Sequence, residues 1–249
     1  MIQPEVVVVV PCFNEAQRLS RNDFLSFVDH HRGFHFLFVD DGSHDATVEI
    51  LEGLKLERPD RFSILNLERN FGKAEAVRRG FLDRMTSGVP YLAFWDADLA
   101  TPLEVLPYFL KAFDEQPRVE MVLGARVKLL GHRIKRHELL HYLGRVFATL
   151  VSLVLNLAVY DTQCGAKMFR VTDTLRDIFQ KPFCSRWIFD VEILARYKKI
   201  RGIKNQTECE SLIYELPLRQ WEDVQGSKLH PADFFKAFFE LIEIDQRYR

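Results

Sequence analysis

Apolar residues follow two different spacings along this chain. Val6–Val10 is an unbroken run of valines, and His35–Asp40, Ser63–Leu67, Tyr91–Trp95 and Met121–Ala125 are further short runs whose apolar residues adjoin rather than alternate with polar ones. Such runs, rich in β-branched and aromatic residues, suit strands covered on both faces of a parallel sheet. Between them the apolar residues recur every three or four positions. Phe24–His31, Asp45–Lys55, Lys73–Thr86 and Leu103–Gln116 each gather their apolar residues on one helical face, the third starting past Gly72 and the fourth opened by Thr101 and Pro102. Strand and helix alternating in this way predict an α/β fold: a mostly parallel sheet with right-handed crossovers and helices on its flanks.

After Ala125 the pattern changes. Leu139–Tyr160 is a helical stretch of low polarity, but its uncharged part, Val146–Tyr160, contains Thr149, Ser152 and Asn156 and is bounded by Arg145 and Asp161. It is shorter than the roughly 18 to 20 residues that cross a bilayer. A helix lying in a membrane surface fits it; a buried core helix or a homodimer interface is the alternative. Phe189–Lys199 and Asp233–Ile244 also read as helices, the second packing its phenylalanine face on the domain. The expectation is one domain over 1–249, with a first half to residue 125 and a helical second half from 126.

Composition narrows this picture. The 249 residues are 47% hydrophobic and 28% charged, the profile of a globular protein, and a net charge of −1 argues against a general nucleic-acid binder. The four cysteines form no Cys-x-x-Cys pair, so a zinc site or redox dithiol is not expected, and free thiols fit a reducing compartment. With no basic leader and cleavage pattern, the expectation is a cytoplasmic location. Charge is nevertheless uneven. Residues 126–145 carry six basic side chains against Glu138, a local balance of +5 that leaves −6 for the rest.

The acids gather where chemistry is expected. In open α/β sheets ligands bind beyond the carboxyl ends of the strands. Those positions read Pro11-Cys12-Phe13-Asn14-Glu15 after the first strand, Asp40-Asp41-Gly42-Ser43-His44-Asp45 after the second and Asp96-Ala97-Asp98 after the fourth. Six carboxylates directed to one edge repel one another unless a cation or hydrogen-bond donors stabilise them.

The order PCFNE, VDDGSHDAT, RNFGKAEAVRRGF and DAD resembles family 2 glycosyltransferases of the GT-A fold. The later segments, Asp161–Lys167, Arg186–Glu192 and Gly226–Leu229, are similar to the dolichyl-phosphate β-glucosyltransferase branch, next to the dolichyl-phosphate mannose synthases. The resemblance implies an inverting, metal-dependent hexosyltransferase, with UDP-glucose as donor and a polyprenyl phosphate as acceptor. Residues 1–125 become the nucleotide-sugar half and 126–249 the acceptor half. Pro11, Asn14, Glu15, Asp40, Asp41, Lys73 and Ala97 would line the donor site, Asp41 nearest the base. A departing nucleoside diphosphate carries about three negative charges, which suits Mg²⁺ or Mn²⁺ in an incomplete protein cage. Asp98 is then the expected direct ligand, with Asp96 on metal or ribose. Where the mannose synthases often carry a further glutamine ligand this chain has Ala100, leaving Thr101 or water to substitute.

For the acceptor, the basic segment followed by an interfacial helix fits a lipid with a phosphate head. Arg126 and Arg136 are the expected phosphate contacts, because guanidinium forks match phosphate oxygens. A lipid phosphate with a second pKa near 6 attacks without a base, whereas a saccharide hydroxyl needs one. Asp190 is the candidate base or acceptor-orienting group. Gln163 and Lys167 are expected at the sugar pocket, Trp187 stacking on the hexose or lipid head, and Lys228 on a loop closing over the diphosphate. The partners expected are thus a nucleotide sugar, a lipid phosphate and a peripheral membrane surface. Alternatives are another donor such as GDP-mannose or UDP-GlcNAc, a saccharide acceptor, or a catalytically silent binding protein.

Overall fold

The five valines show how the sequence makes the sheet. In β1 (Val6–Cys12) Val7 and Val9 enter one apolar layer while Val6, Val8 and Val10 enter the other, and all five are buried. Side chains on a strand alternate between faces, so an unbroken apolar run is required once helices cover both sides. The computed structural model describes residues 4–135, 138–203, 205–224 and 231–248, with the backbone alone at 138–143 and 231–235. Beside β1 it has β2 (Phe34–Asp40), β3 (Phe62–Asn66), β4 (Tyr91–Trp95), β5 (Met121–Ala125), β7 (Ala166–Arg170) and β8 (Ile213–Pro217). They form a seven-stranded sheet in the order β3-β2-β1-β4-β7-β5-β8. A short parallel pair, β6 (Arg133–Lys135) and β9 (Gln220–Glu222), stands apart from it.

One face carries α1 (Arg21–His30), α2 (Thr47–Glu57) and α4 (Leu106–Glu115). The other carries α3 (Lys73–Arg84), α5 (Glu138–Leu155), α6 (Asp173–Gln180), α7 (Phe189–Arg201) and α9 (Pro231–Tyr248). A single turn of helix, α8 (Gln206–Glu210), leads into β8. The five strands and the first four helices thus lie where the apolar spacing predicts, with ends shifted by a few residues. Leu103–Val105 is a 3₁₀ turn before α4, and α5 stops at Leu155 rather than Tyr160 because Asn156 takes a left-handed conformation, φ 46°.

Of the four strands that the apolar spacing does not predict, β6 to β9, the one that enters the middle of the sheet is β7. It runs antiparallel between β4 and β5, pairing Trp95 with Ala166 and Phe94 with Lys167. A lysine inside a five-residue strand hides its apolar signal. In space this insertion matters most, because β7 brings the 161–167 segment under the end of β4.

The C-terminal helices pack on the domain through Ala237, Leu241 and Ile244 of α9 and Phe147, Val151 and Leu155 of α5. Each also presents apolar side chains outward, Val146 and Leu153 on α5 and Phe238, Phe239 and Ile242 on α9. No helix among the described residues is long and apolar enough to cross a membrane.

Candidate active site

The carboxyl ends of β1, β2 and β4 open on a cavity of about 340 Å³ lined by Pro11, Glu15, Asp41, Lys73, Asp96 and Asp98, with Ala97 in its wall and Trp187 on the rim. Its floor is built by loops that tie each other down. Asn14, left-handed at φ 54°, donates its N–H to Ser43 Oγ (3.0 Å) and accepts from the His44 N–H (2.9 Å). The Glu15 N–H donates to Thr47 Oγ1 at 2.8 Å, and the Ala16 N–H to Asp45 at 3.2 Å. Of the six strand-end carboxylates, Asp45 is therefore spent on holding α2 and the first loop together. Glu15 pairs with Arg18.

The two aspartates after β2 divide their work. Asp41 accepts the Phe71 and Gly72 N–H groups, both at 2.8 Å, one on each oxygen. Burial raises its pKa despite those donors, with the neighbouring Asp40 adding to the rise. Asp41 thereby fixes the turn into α3, where Gly72 sits at φ 96°, a conformation a side chain would strain. Asp40 accepts the Ser43 N–H at 3.2 Å through Oδ2, while its buried Oδ1 has no hydrogen-bond partner among the described residues. An orphaned buried acceptor costs about 1–3 kcal/mol, but Asp40 is 3% exposed, and of the two it is Asp41 that lines the cavity.

Asp96, Asp98 and Lys73 form the charged centre. Lys73, first residue of α3, places Nζ 2.5 Å from Asp96 Oδ1. Burial works against its ammonium, but Asp96, Asp190 and Asp98 around it hold the pKa above the ordinary lysine value. Asp98 titrates above the usual carboxylate range, first because it is buried and then because Asp96 is beside it; Arg18 lies 3.9 Å away. The turn that presents both acids is tight. Leu99 is left-handed at φ 52°, the Leu99 N–H reaches the Asp96 carbonyl (3.2 Å) and the Ala100 N–H reaches Asp98 Oδ1 (3.1 Å). Left-handed backbone at a bulky residue costs roughly 1–2 kcal/mol and collects at functional sites. Among the described residues no third His, Cys, Asp or Glu joins the pair in a metal-holding group. Two clustered carboxylates with open positions fit a hard divalent cation whose other ligands come from a diphosphate and water.

From below, β7 sets this centre. The Asp96 N–H donates to the Gly165 carbonyl at 3.0 Å, and a Cβ on Gly165 would lie 1.8 Å from Asp96 Oδ2. Lys167, expected along the sugar pocket, is instead 1% exposed. It pairs with Asp190 at 2.6 Å, donates to the Cys164 carbonyl at 2.5 Å and lies 5.1 Å from the Phe94 ring centroid. A buried ammonium needs such partners. Asp190, in the first turn of α7, gains from the helix dipole as well.

The rim loop before α7 has no ladder of its own. Arg196 donates to the carbonyls of Ile178, Lys181 and Pro182 at 2.6–2.7 Å, and Glu192 accepts the Cys184 and Ser185 N–H groups at 2.9 and 3.1 Å. Burial and then Glu192 push the Cys184 thiol up to about 12. This loop carries Trp187, which is exposed, and Arg186, whose guanidinium donates to the Phe71 carbonyl at 3.0 Å.

The expected phosphate contact Arg126 needs correction. Its fork is closed on Asp161, Nε to Oδ2 at 2.6 Å and Nη2 to Oδ1 at 2.7 Å, and it stacks 5.2 Å from Trp221. Burial opposes its charge, but Asp161 more than restores it and raises the pKa. Arg126 therefore braces the end of β5 against the 160–163 segment, where the Gln163 N–H also reaches Asp161 at 3.3 Å. Arg136 and Lys228 lie outside the described residues. Gly165, Arg18 and Arg186, which sequence reasoning did not single out, join the site through contacts between distant segments; only the motifs containing Gly165 and Arg186 hinted at them.

The profile described as Glycosyl transferase family 2 matches residues 7–175, a span running from Val7 of β1 through β7 that holds Asp40, Asp41, Asp96, Asp98 and Asp161 but not Asp190 or Glu192. The chain belongs to glycosyl transferase family 2. This family 2 transferase is 32% identical over 262 residues to the dolichyl-phosphate β-glucosyltransferase of Saccharomyces cerevisiae, covering 97% of this chain and 74% of that protein. It is 31% identical over 248 residues to a dolichyl-phosphate β-glucosyltransferase of Trichomonas vaginalis, covering 95% of this chain and 72% of the other. Its fold is that of glucosyl-3-phosphoglycerate synthase from Mycobacterium tuberculosis, solved with Mn²⁺, UDP-glucose and phosphoglyceric acid. The TM-score is 0.70 at 16% identity, over 98% of this chain and 80% of that one. The mostly parallel sheet with helices on both faces is thus a GT-A sheet.

Proposed function

We propose that this family 2 transferase moves glucose from UDP-glucose to a polyprenyl phosphate such as dolichyl phosphate, with inversion at the sugar. The observation that carries the reading is the likeness to named dolichyl-phosphate β-glucosyltransferases, which covers 97% of the chain and so takes in the acceptor half with the donor cavity. Asp98 and Asp96 would hold the divalent ion, Mg²⁺ or Mn²⁺, which when bound neutralises the charge growing on the departing diphosphate. Asp41, in the cavity wall, would meet the base or ribose while it holds the 71–73 turn, with the buried Asp40 standing behind it. Trp187 closes the rim over the hexose.

An acceptor phosphate is already dianionic near neutral pH and attacks without a base. Asp190, paired with the buried Lys167, then contributes field and position rather than proton transfer. With Arg126 closed on Asp161, the phosphate head falls to the exposed bases Lys128 and Arg133 and to Arg136. Leu129 and Leu130 are exposed between Lys128 and Arg133, Leu130 completely. Apolar tips flanked by bases suit an anionic membrane surface.

The test is UDP release with a short polyprenyl phosphate and Mn²⁺ or Mg²⁺, with UDP-glucose, GDP-mannose and UDP-GlcNAc run side by side. UDP-glucose is expected to lead, and EDTA to abolish release reversibly. Turnover of a saccharide acceptor instead of lipid phosphate, or no turnover of any donor, would sink the reading. For the membrane contact, Leu129→Glu with Leu130→Glu is expected to weaken co-sedimentation with anionic vesicles at least about tenfold, because two exposed leucines lose up to about 1.5–3 kcal/mol each. Unchanged sedimentation removes that surface from the account.

A further inference from the structure

A lysine at the first position of a helix carries the wrong sign for its place, since the amino end of a helix favours anions. Lys73 occupies that position in α3. What it gains is Asp96, whose Oδ1 is 2.5 Å from its Nζ, while its side chain stays 40% exposed to the cavity. Asp98 lies next to Asp96 and Asp190 adds a third nearby carboxylate. The ammonium therefore occupies an Asp96 oxygen that a metal held by this acid would need, while Arg18 lies 3.9 Å from Asp98.

We propose that Lys73 is the resident counter-ion of Asp96 in the nucleotide-free protein, so that divalent metal and nucleoside diphosphate bind together and each binds weakly alone. This rests on the metal-assisted reading of the site given above. A divalent ion arriving alone must displace an ammonium from Asp96 and leave it close to the new charge, which is unfavourable on both counts. A diphosphate arriving at the same time gives the ammonium new acceptors, so the displacement no longer leaves a charge unpaired.

The turn that carries Lys73 links the two events. Gly72 and Phe71 are held by Asp41, which lines the donor cavity, and Arg186 clasps the Phe71 carbonyl from the rim. A nucleotide settling against Asp41 therefore acts on the residue next to Lys73. Coupling of this kind is reciprocal: the factor by which nucleotide tightens metal equals the factor by which metal tightens nucleotide.

The experiment follows free Mn²⁺ by its electron paramagnetic resonance signal during titration of the whole protein, with and without UDP. Wild type is expected to bind Mn²⁺ about tenfold or more tightly with UDP than without, within the 5- to 150-fold range usual for linked sites. Lys73→Gln and Lys73→Met are expected to bind Mn²⁺ alone about tenfold more tightly than wild type and to lose most of the UDP enhancement. Lys73→Arg, which keeps the cation, should behave as wild type. Thermal unfolding checks that each variant is folded, and two neutral variants guard against one that is not. If wild type binds Mn²⁺ with UDP but the folded neutral variants bind Mn²⁺ alone no more tightly than wild type, Lys73 is not the counter-ion and the metal reading survives. If wild type binds no Mn²⁺ even with UDP, both fall.

Discussion

Gly165→Ala is expected to lower sugar transfer by at least about 100-fold while leaving the protein folded. The methyl carbon would lie 1.8 Å from Asp96 Oδ2 and 2.2 Å from its Cγ, well inside van der Waals contact. Something must move by more than an ångström. The backbone is pinned, because the Asp96 N–H donates to the Gly165 carbonyl at 3.0 Å and Trp95 pairs with Ala166 in the sheet. The carboxylate is the softer element, and moving it breaks the 2.5 Å contact with Lys73 and spoils its aim at the cavity. A misplacement of about 1 Å at a reacting centre costs roughly 100-fold. Gly165 is not among the residues with positive φ, so alanine suits its backbone and even restricts the unfolded chain. The loss should therefore appear in initial rates of UDP release with little change in melting temperature. Retention of more than half the wild-type rate would show that Asp96 need not stand where it does.

That contact marks the limit of what the sequence discloses. The strand ends and their acids are legible because both follow from local spacing: valines that need two apolar faces, and aspartates placed just past them. Gly165 stands in the Asp161–Lys167 motif, yet its role depends on β7 entering antiparallel beside β4, a pairing between segments about 70 residues apart. The same distance explains Arg126. Weighed against its own neighbours in 126–145 it is one of six bases facing a single acid, a free fork for phosphate. Its partner, Asp161, lies outside that window and belongs to the acidic remainder of the chain. Lys73 and Lys167 repeat the lesson. Each is a cation whose acid comes from a different strand end or helix, and across the boundary of the basic segment Asp161 answers Arg126 and Glu222 answers Lys135, so two of the −6 are met from within the +5. Charge counted along a chain separates signs that folding brings together.

Glu192→Ala is expected to destabilise the protein by about 3–5 kcal/mol, the usual cost of removing one partner from a buried ion pair. Glu192 is fully buried and Arg196 nearly so, with Arg196 donating to Glu192 Oε1 from Nε (3.0 Å) and Nη2 (2.7 Å) and Tyr248 Oη donating to the same oxygen at 2.8 Å. Without the carboxylate a guanidinium remains in the core, and the Cys184 and Ser185 N–H groups lose their acceptor. For a chain of this size each kcal/mol lowers the melting temperature by about 2–4 °C, so a drop of roughly 6–20 °C is expected. Removing Arg196 as well should cost less than the two single losses added, because the second change relieves the charge stranded by the first. The pair also reaches the active site. Arg196 and Glu192 hold the loop carrying Arg186 and Trp187, and α9 joins through Tyr248 and through Glu240, which accepts from Ser185 Oγ. Glu192→Gln, which keeps the shape but not the charge, should fold well enough for kinetics and raise the donor KM more than it lowers kcat, because this loop carries Trp187, which in the proposed function covers the hexose. A melting temperature within about 3 °C of wild type for Glu192→Ala would mean that the rim is held by something other than this pair. An unchanged donor KM in Glu192→Gln would confine the pair to stability alone.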